Sequence, residues 1–178
     1  RTAVLWLNYP NNPTGAVASR DLFERAAELA RLHDFVLASD EAYTELWFDT
    51  PPISALELPD LTNVVAFNTL SKRSSMTGFR CGFIAGDPAL VAALRQYRPN
   101  VGTAPQEFVQ RAAVVAWGDE EHVERARGSY ARKRELFLGL FARRGLRDAG
   151  GPSTMYLWIA VPAGETSEQH AERLDALS

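Results

Sequence analysis

Three apolar runs in this chain each close on a cluster of polar, chemistry-bearing residues, and that pattern constrains the fold more than any other feature. Residues 3–7 empty into Asn8-Tyr9-Pro10-Asn11-Asn12-Pro13-Thr14-Gly15, Phe35-Val36-Leu37-Ala38 leads to Asp40-Glu41-Ala42-Tyr43, and Val64-Val65-Ala66-Phe67 ends at Asn68-Thr69-Leu70-Ser71-Lys72. Near-continuous apolar runs of this length fit strands covered on both faces of a mostly parallel sheet. Pro10 and Pro13 forbid a regular element after the first run, so that strand ends in a rigid loop. Open α/β sheets bind ligands beyond the carboxyl ends of their strands, so one pocket would collect Asn12, Asp40, Tyr43, Thr69 and Lys72.

Helices fill the intervals. Ser19 is an N-cap candidate, and Leu22, Ala26, Leu29, Ala30 and His33 recur on one helical face before Phe35. Between Thr69 and Gly82 no helical period appears, so Phe83-Ile84-Ala85 is expected to return antiparallel and make the sheet mixed. Further helices are expected from Pro88 to about Gln96, from Ala104 to Trp117 and from about Glu120 to Arg144. The last alternates in sign through Glu124, Arg125, Arg127, Arg132, Lys133, Arg134 and Glu135, the pattern of a solvated face with i,i+4 pairs. Residues 156–161 read as another strand, and Ser167 as the cap of a final helix. The expected class is α/β, a mixed, mostly parallel sheet sandwiched by helices.

Composition narrows the function. A hydrophobic content of 46% is ample for a core, and no apolar run approaches the roughly 20 residues of a membrane-spanning helix. A net charge of -3 with interleaved acids and bases leaves no footprint for nucleic acid, so small-molecule chemistry is expected. The single cysteine, Cys81, cannot form an internal disulfide and reads as a buried small hydrophobe. No leader pattern opens at Arg1, which fits a cytoplasmic protein. His33, His122 and His170 lack metal-ligand spacing, and no metal is expected.

Lys72 follows a buried strand amid Ser71, Arg73, Ser74 and Ser75, and a cationic neighbour with partial burial readies an amine for attack on an aldehyde. Arg80, in Gly78-Phe79-Arg80-Cys81-Gly82, carries a planar fork suited to bidentate phosphate contact or to a surface ion pair. Asp40 suits either a turn cap or a ligand-facing carboxylate. Asn12 and Tyr43, by their residue types alone, are as readily structural.

These clusters, in this order and spacing, resemble the class I/II aminotransferases of fold type I, over Asn8 to about Trp158. The resemblance implies pyridoxal 5'-phosphate (PLP) as cofactor. Lys72 would then be the Schiff-base lysine and the base that moves the substrate Cα proton. Asp40 would hold the pyridine nitrogen protonated, and Asn12 and Tyr43 would share the phenolic oxygen. Thr69, Ser71 and Arg80 would hold the phosphate, with Gly78 and Gly82 letting the backbone pass close by. Thr69-Leu70-Ser71-Lys72-Arg73-Ser74-Ser75-Met76-Thr77-Gly78-Phe79-Arg80 is most similar to the succinyldiaminopimelate aminotransferases.

In such relatives a ring-stacking aromatic residue and a glycine-led phosphate turn precede the matched region, and a carboxylate-gripping arginine follows it. The resemblance therefore implies a fragment. Residues 1–118 would be the C-terminal part of the large PLP-binding domain, and 119–178 a connecting helix with the start of a small α+β domain. It also implies a homodimer acting on an amino acid and a 2-oxo acid, N-succinyl-diaminopimelate with 2-oxoglutarate in lysine biosynthesis among them. A PLP-dependent carbon–sulfur β-lyase and a PLP-sensing regulator domain share the same anchors.

Overall fold

The computed structural model describes residues 2–102 and 104–176; residues 1 and 103 of the expected 1–118 unit and 177–178 of the expected 119–178 unit lie outside them. Four strands form one sheet in sequential order: β1 (Val4–Asn8), β2 (Val36–Asp40), β3 (Val64–Thr69) and β4 (Gly82–Gly86). β1, β2 and β3 are parallel, pairing Asn8 with Asp40 and Asp40 with Phe67. β4 returns antiparallel with Thr69 opposite Gly82, as the missing helical crossover requires.

Helix α1 (Arg20–His33) is capped by the Ser19 side chain, which accepts from Leu22 N. Its buried face is Phe23, Ala26, Ala27 and Ala30, packed on Leu37, Ala55 and Val64. Leu22 and His33 are exposed, so the expected stripe is turned by about one residue. A phenylalanine removes more apolar area from water than the Leu22 it displaces. On the other face, Val4 and Trp6 of β1 remain more than half exposed, so cover is not complete on both sides.

One helical turn, α2 (Leu70–Arg73), does form where no period was legible. Thr69 nucleates it by accepting from Ser71 N at 3.1 Å, a cap too local for periodicity to register. Helix α3 (Pro88–Tyr97) starts behind the Asp87 cap. Helix α4 (Glu107–Gly118) starts later than expected, because Pro105 keeps the residue before it out of helical geometry. Cys81 is buried with Leu70, Val109 and Ala113, as a small hydrophobe would be.

Helix α5 (Glu121–Arg143) is only partly the solvated element expected. Arg125 pairs with Glu121 on the surface, but Arg127 stacks 4.2 Å from the Trp47 ring and Arg134 reaches Asp148 at 3.0 Å and the Gly151 carbonyl at 3.2 Å. The expected strand over 156–161 shrinks to β6 (Ile159–Ala160), paired antiparallel with β5 (Arg147–Asp148). Residues before it are drawn away to cross the first sheet's loops. Helix α6 (Ser167–Asp175) is capped by Thr166, one residue earlier than expected, in a reciprocal box with Gln169. No helix among the described residues is long and apolar enough to cross a membrane.

Candidate cofactor site

Asn8 and Asp40 sit side by side at the carboxyl ends of β1 and β2, and the site grows from that edge. Alternation along β2 sends Asp40 to one face and Ser39 and Glu41 to the other. The buried Glu41 carboxylate accepts from Ser39 Oγ at 2.9 Å, Ser54 Oγ at 2.6 Å and Ala55 N at 2.8 Å, while its carbonyl accepts from Thr44 N at 3.2 Å. Burial raises its pKa against these hydrogen bonds. The turn from 41 to 44 is thereby stapled to the core, and it carries Tyr43 inward to 3% exposure.

At Tyr43 the structure gathers four sequence-predicted positions or their neighbours. Asn12 Nδ2 donates to the Tyr43 hydroxyl at 3.4 Å, and Lys72 Nζ stands 5.5 Å from the ring centroid. Asp40, whose Oδ1 accepts from Ala42 N at 3.2 Å, lies close enough for its charge to act on the phenol. Burial, then the Tyr156 hydroxyl and the Asp40 charge, push the Tyr43 phenol well above its ordinary value, so it stays protonated and able to donate.

Thr69 and Ser71 form a second cluster on the Lys72 turn. Thr69 Oγ1 lies 2.9 Å from Ser71 Oγ and 3.2 Å from the Cys81 carbonyl, which also accepts from Leu70 N. That ties Arg80, the residue before Cys81, to the same corner. Its guanidinium is exposed and donates to its own turn at Thr77 O, 3.1 Å away.

Two residues at the site, Glu41 and Tyr156, had no role assigned from sequence, and Arg73, expected as the cation that readies Lys72, is engaged elsewhere. Arg73 is 1% exposed; it bonds the Ala116 carbonyl at 2.7 Å, pairs with Glu120 and Glu45, and stacks 5.0 Å from Trp117. It clamps the lysine-bearing turn to α4 and to the loop after Tyr43. Glu41 lay within a recognised motif without a role. Tyr156, whose hydroxyl lies 3.1 Å from that of Tyr43, is 113 residues distant in sequence, and no local signal could have found it.

An open α/β sheet that gathers a lysine, a carboxylate and a converging phenol and amide at its strand ends defines a small-molecule cofactor site. The chain belongs to the aminotransferase class I and II family, whose model it matches over residues 1–174. It is 34% identical over 178 residues to the LL-diaminopimelate aminotransferase of Nitratidesulfovibrio vulgaris, covering 98% of this chain and 46% of that protein. The corresponding protein of Gloeobacter violaceus is 36% identical over 91% of this chain and 42% of its own. A probable N-succinyldiaminopimelate aminotransferase from Thermus thermophilus superposes with a TM-score of 0.86 at 35% identity, over 97% of this chain and 47% of that one. The chain thus spans less than half the length of these relatives.

The family is PLP-dependent, and the residues present fit that group. An amide and a phenol meet at one point as a ring oxygen requires, a carboxylate stands nearby, and a lysine overlooks the phenol. Two hydroxyls and an arginine share the adjoining corner.

Proposed function

We propose that the whole protein is a PLP-dependent aminotransferase that moves an amino group between an amino acid and a 2-oxo acid. A diaminopimelate-type donor of lysine biosynthesis, N-succinylated or free, is the substrate class that the names of its relatives favour. The observation that carries this reading is the meeting of Lys72, Asn12 and Tyr43 beside Asp40.

Bound here, the cofactor supplies an aldehyde for amine attack and a ring that accepts the electron pair left when the substrate Cα loses its proton. Lys72 Nζ would hold the group through its aldehyde, with loss of water, and would take and return the Cα proton. Asp40 would accept from the pyridine N–H and keep that nitrogen cationic. Tyr43 O–H and Asn12 Nδ2–H would donate to the ring oxygen and stabilise its anionic form. Thr69, Ser71 and Arg80 would hold the phosphate.

The same proposal divides the chain at 118/119 into the end of a cofactor domain and the start of a small domain. It makes the whole protein a cytoplasmic homodimer, which sedimentation at assay concentration checks. Borohydride reduction of the PLP-loaded full-length protein, followed by peptide mapping, tests the core of the reading. The label should fall on Lys72, and a label on Lys133 overturns it.

A further inference from the structure

We propose that Tyr156 is a positioning residue of this site, its hydroxyl directing the Tyr43 proton toward the bound ligand. The inference rests on the cofactor reading above and adds a member that no motif contains. The two hydroxyls are 3.1 Å apart and the rings meet edge to face at 5.8 Å.

The Tyr43 oxygen has one proton and two lone pairs. Asn12 Nδ2 is a donor only and occupies one lone pair. When Tyr156 O–H donates into the second, the Tyr43 proton has no acceptor left within the protein cluster and is presented outward. The reverse arrangement, Tyr43 donating to Tyr156, withholds that proton from a ligand. An anionic ring oxygen selects the first arrangement, because a donor to charge is worth about twice one to a neutral group. Donors in series also polarise one another, so Tyr156 strengthens the bond that Tyr43 makes. The charged groups facing Tyr43 are Asp40 from the end of β2 and Lys72 from α2.

Tyr156 is held there by a built strap. Gly151 N donates to Thr14 O at 2.7 Å, Phe48 N to Pro152 O at 3.1 Å and Thr154 N to Leu46 O at 2.7 Å. Ser153 and Thr154 are fully buried. Thr154, a β-branched residue, adopts φ +72°, and Ser153 Oγ has no hydrogen-bond partner among the described residues. Such a conformation is costly and persists only where surrounding structure over-determines it, commonly at functional sites. Both costs fall on the residues that aim Tyr156 at Tyr43.

The test uses full-length protein loaded with PLP, and reads the pH midpoint of the bound-cofactor absorbance in wild type, Tyr156→Phe, Tyr43→Phe and the double variant. A donor at the ring oxygen holds that midpoint down. Tyr156→Phe should therefore raise it by about half a pH unit, a fraction of one net hydrogen bond. In the Tyr43→Phe background the same change should do nothing, a coupling that a purely structural role would not produce. Monofluorotyrosine at position 156, a somewhat stronger donor of nearly the same shape, should lower the midpoint. It carries the test if Tyr156→Phe does not fold. An unchanged midpoint in both Tyr156 variants, or an equal shift in both backgrounds, overturns the inference alone. A wild type without any PLP absorbance overturns the cofactor reading and this inference with it.

Discussion

Gly151 crosses Gly15 backbone to backbone, with no room for a side chain on either residue. A Cβ on Gly151 would overlap the Gly15 carbonyl, and Gly15 itself sits at φ +72°, where side chains are strained. This crossing sets the C-terminal strap against the loop that carries Asn12.

Gly151→Ala should therefore lift the strap, costing about 1–3 kcal/mol of stability by overpacking. PLP affinity should fall together with the melting temperature. Gly164, at φ +90° but with open space where its Cβ would lie, provides the control: Gly164→Ala should cost less and leave PLP affinity unchanged. Equal loss of PLP affinity in both variants would contradict this account.

Arg73→Ala should destabilise the protein by about 2–4 kcal/mol in urea unfolding. It orphans the Ala116 carbonyl and empties a packed site against Trp117. The ion pairs add little to that figure, because Glu45 and Glu120 both reach water. Arg73→Lys should recover only part, lacking the fork that serves several acceptors at once.

Glu41 makes stability depend on pH. Its folded-state pKa lies above the ordinary 4.5, so its contribution is complete below that value and is lost as pH rises through the raised one. Relative to Glu41→Gln, wild-type stability should decline across that interval and then level off. A pH-independent difference between the two would show that the burial cost is fully offset by the Ser39, Ser54 and Ala55 hydrogen bonds.

Asp40→Asn should leave PLP bound by the full-length protein yet lower single-turnover rates by on the order of 10²–10³, the loss typical of one preorganised electrostatic group. Near-normal rates would move the electron-sink role away from Asp40.

Local pattern alone determined much of this protein. Apolar runs that end in polar clusters fixed β1, β2, β3 and the edge where Asn12, Asp40 and Lys72 meet, because strand periodicity and proline-rich stops act over a few residues. The antiparallel β4 followed from the absence of a crossover helix. Tertiary structure decided what depends on partners far along the chain. Arg127 and Arg134 read as solvated charges and Arg73 as a cation serving Lys72, yet the carbonyls and rings of distant elements turn all three into clamps. The face that α1 buries was set by the volume available to Phe23 rather than by the count of apolar positions. The strand expected at 156–161 gave way because residues 151–154 bond their backbone to the loops at 14 and 46–48 and Tyr156 N turns back to Thr154 Oγ1, which leaves two residues to pair as β6. That choice brings the Tyr156 hydroxyl to Tyr43 across 113 residues, a separation at which sequence carries no record of contact.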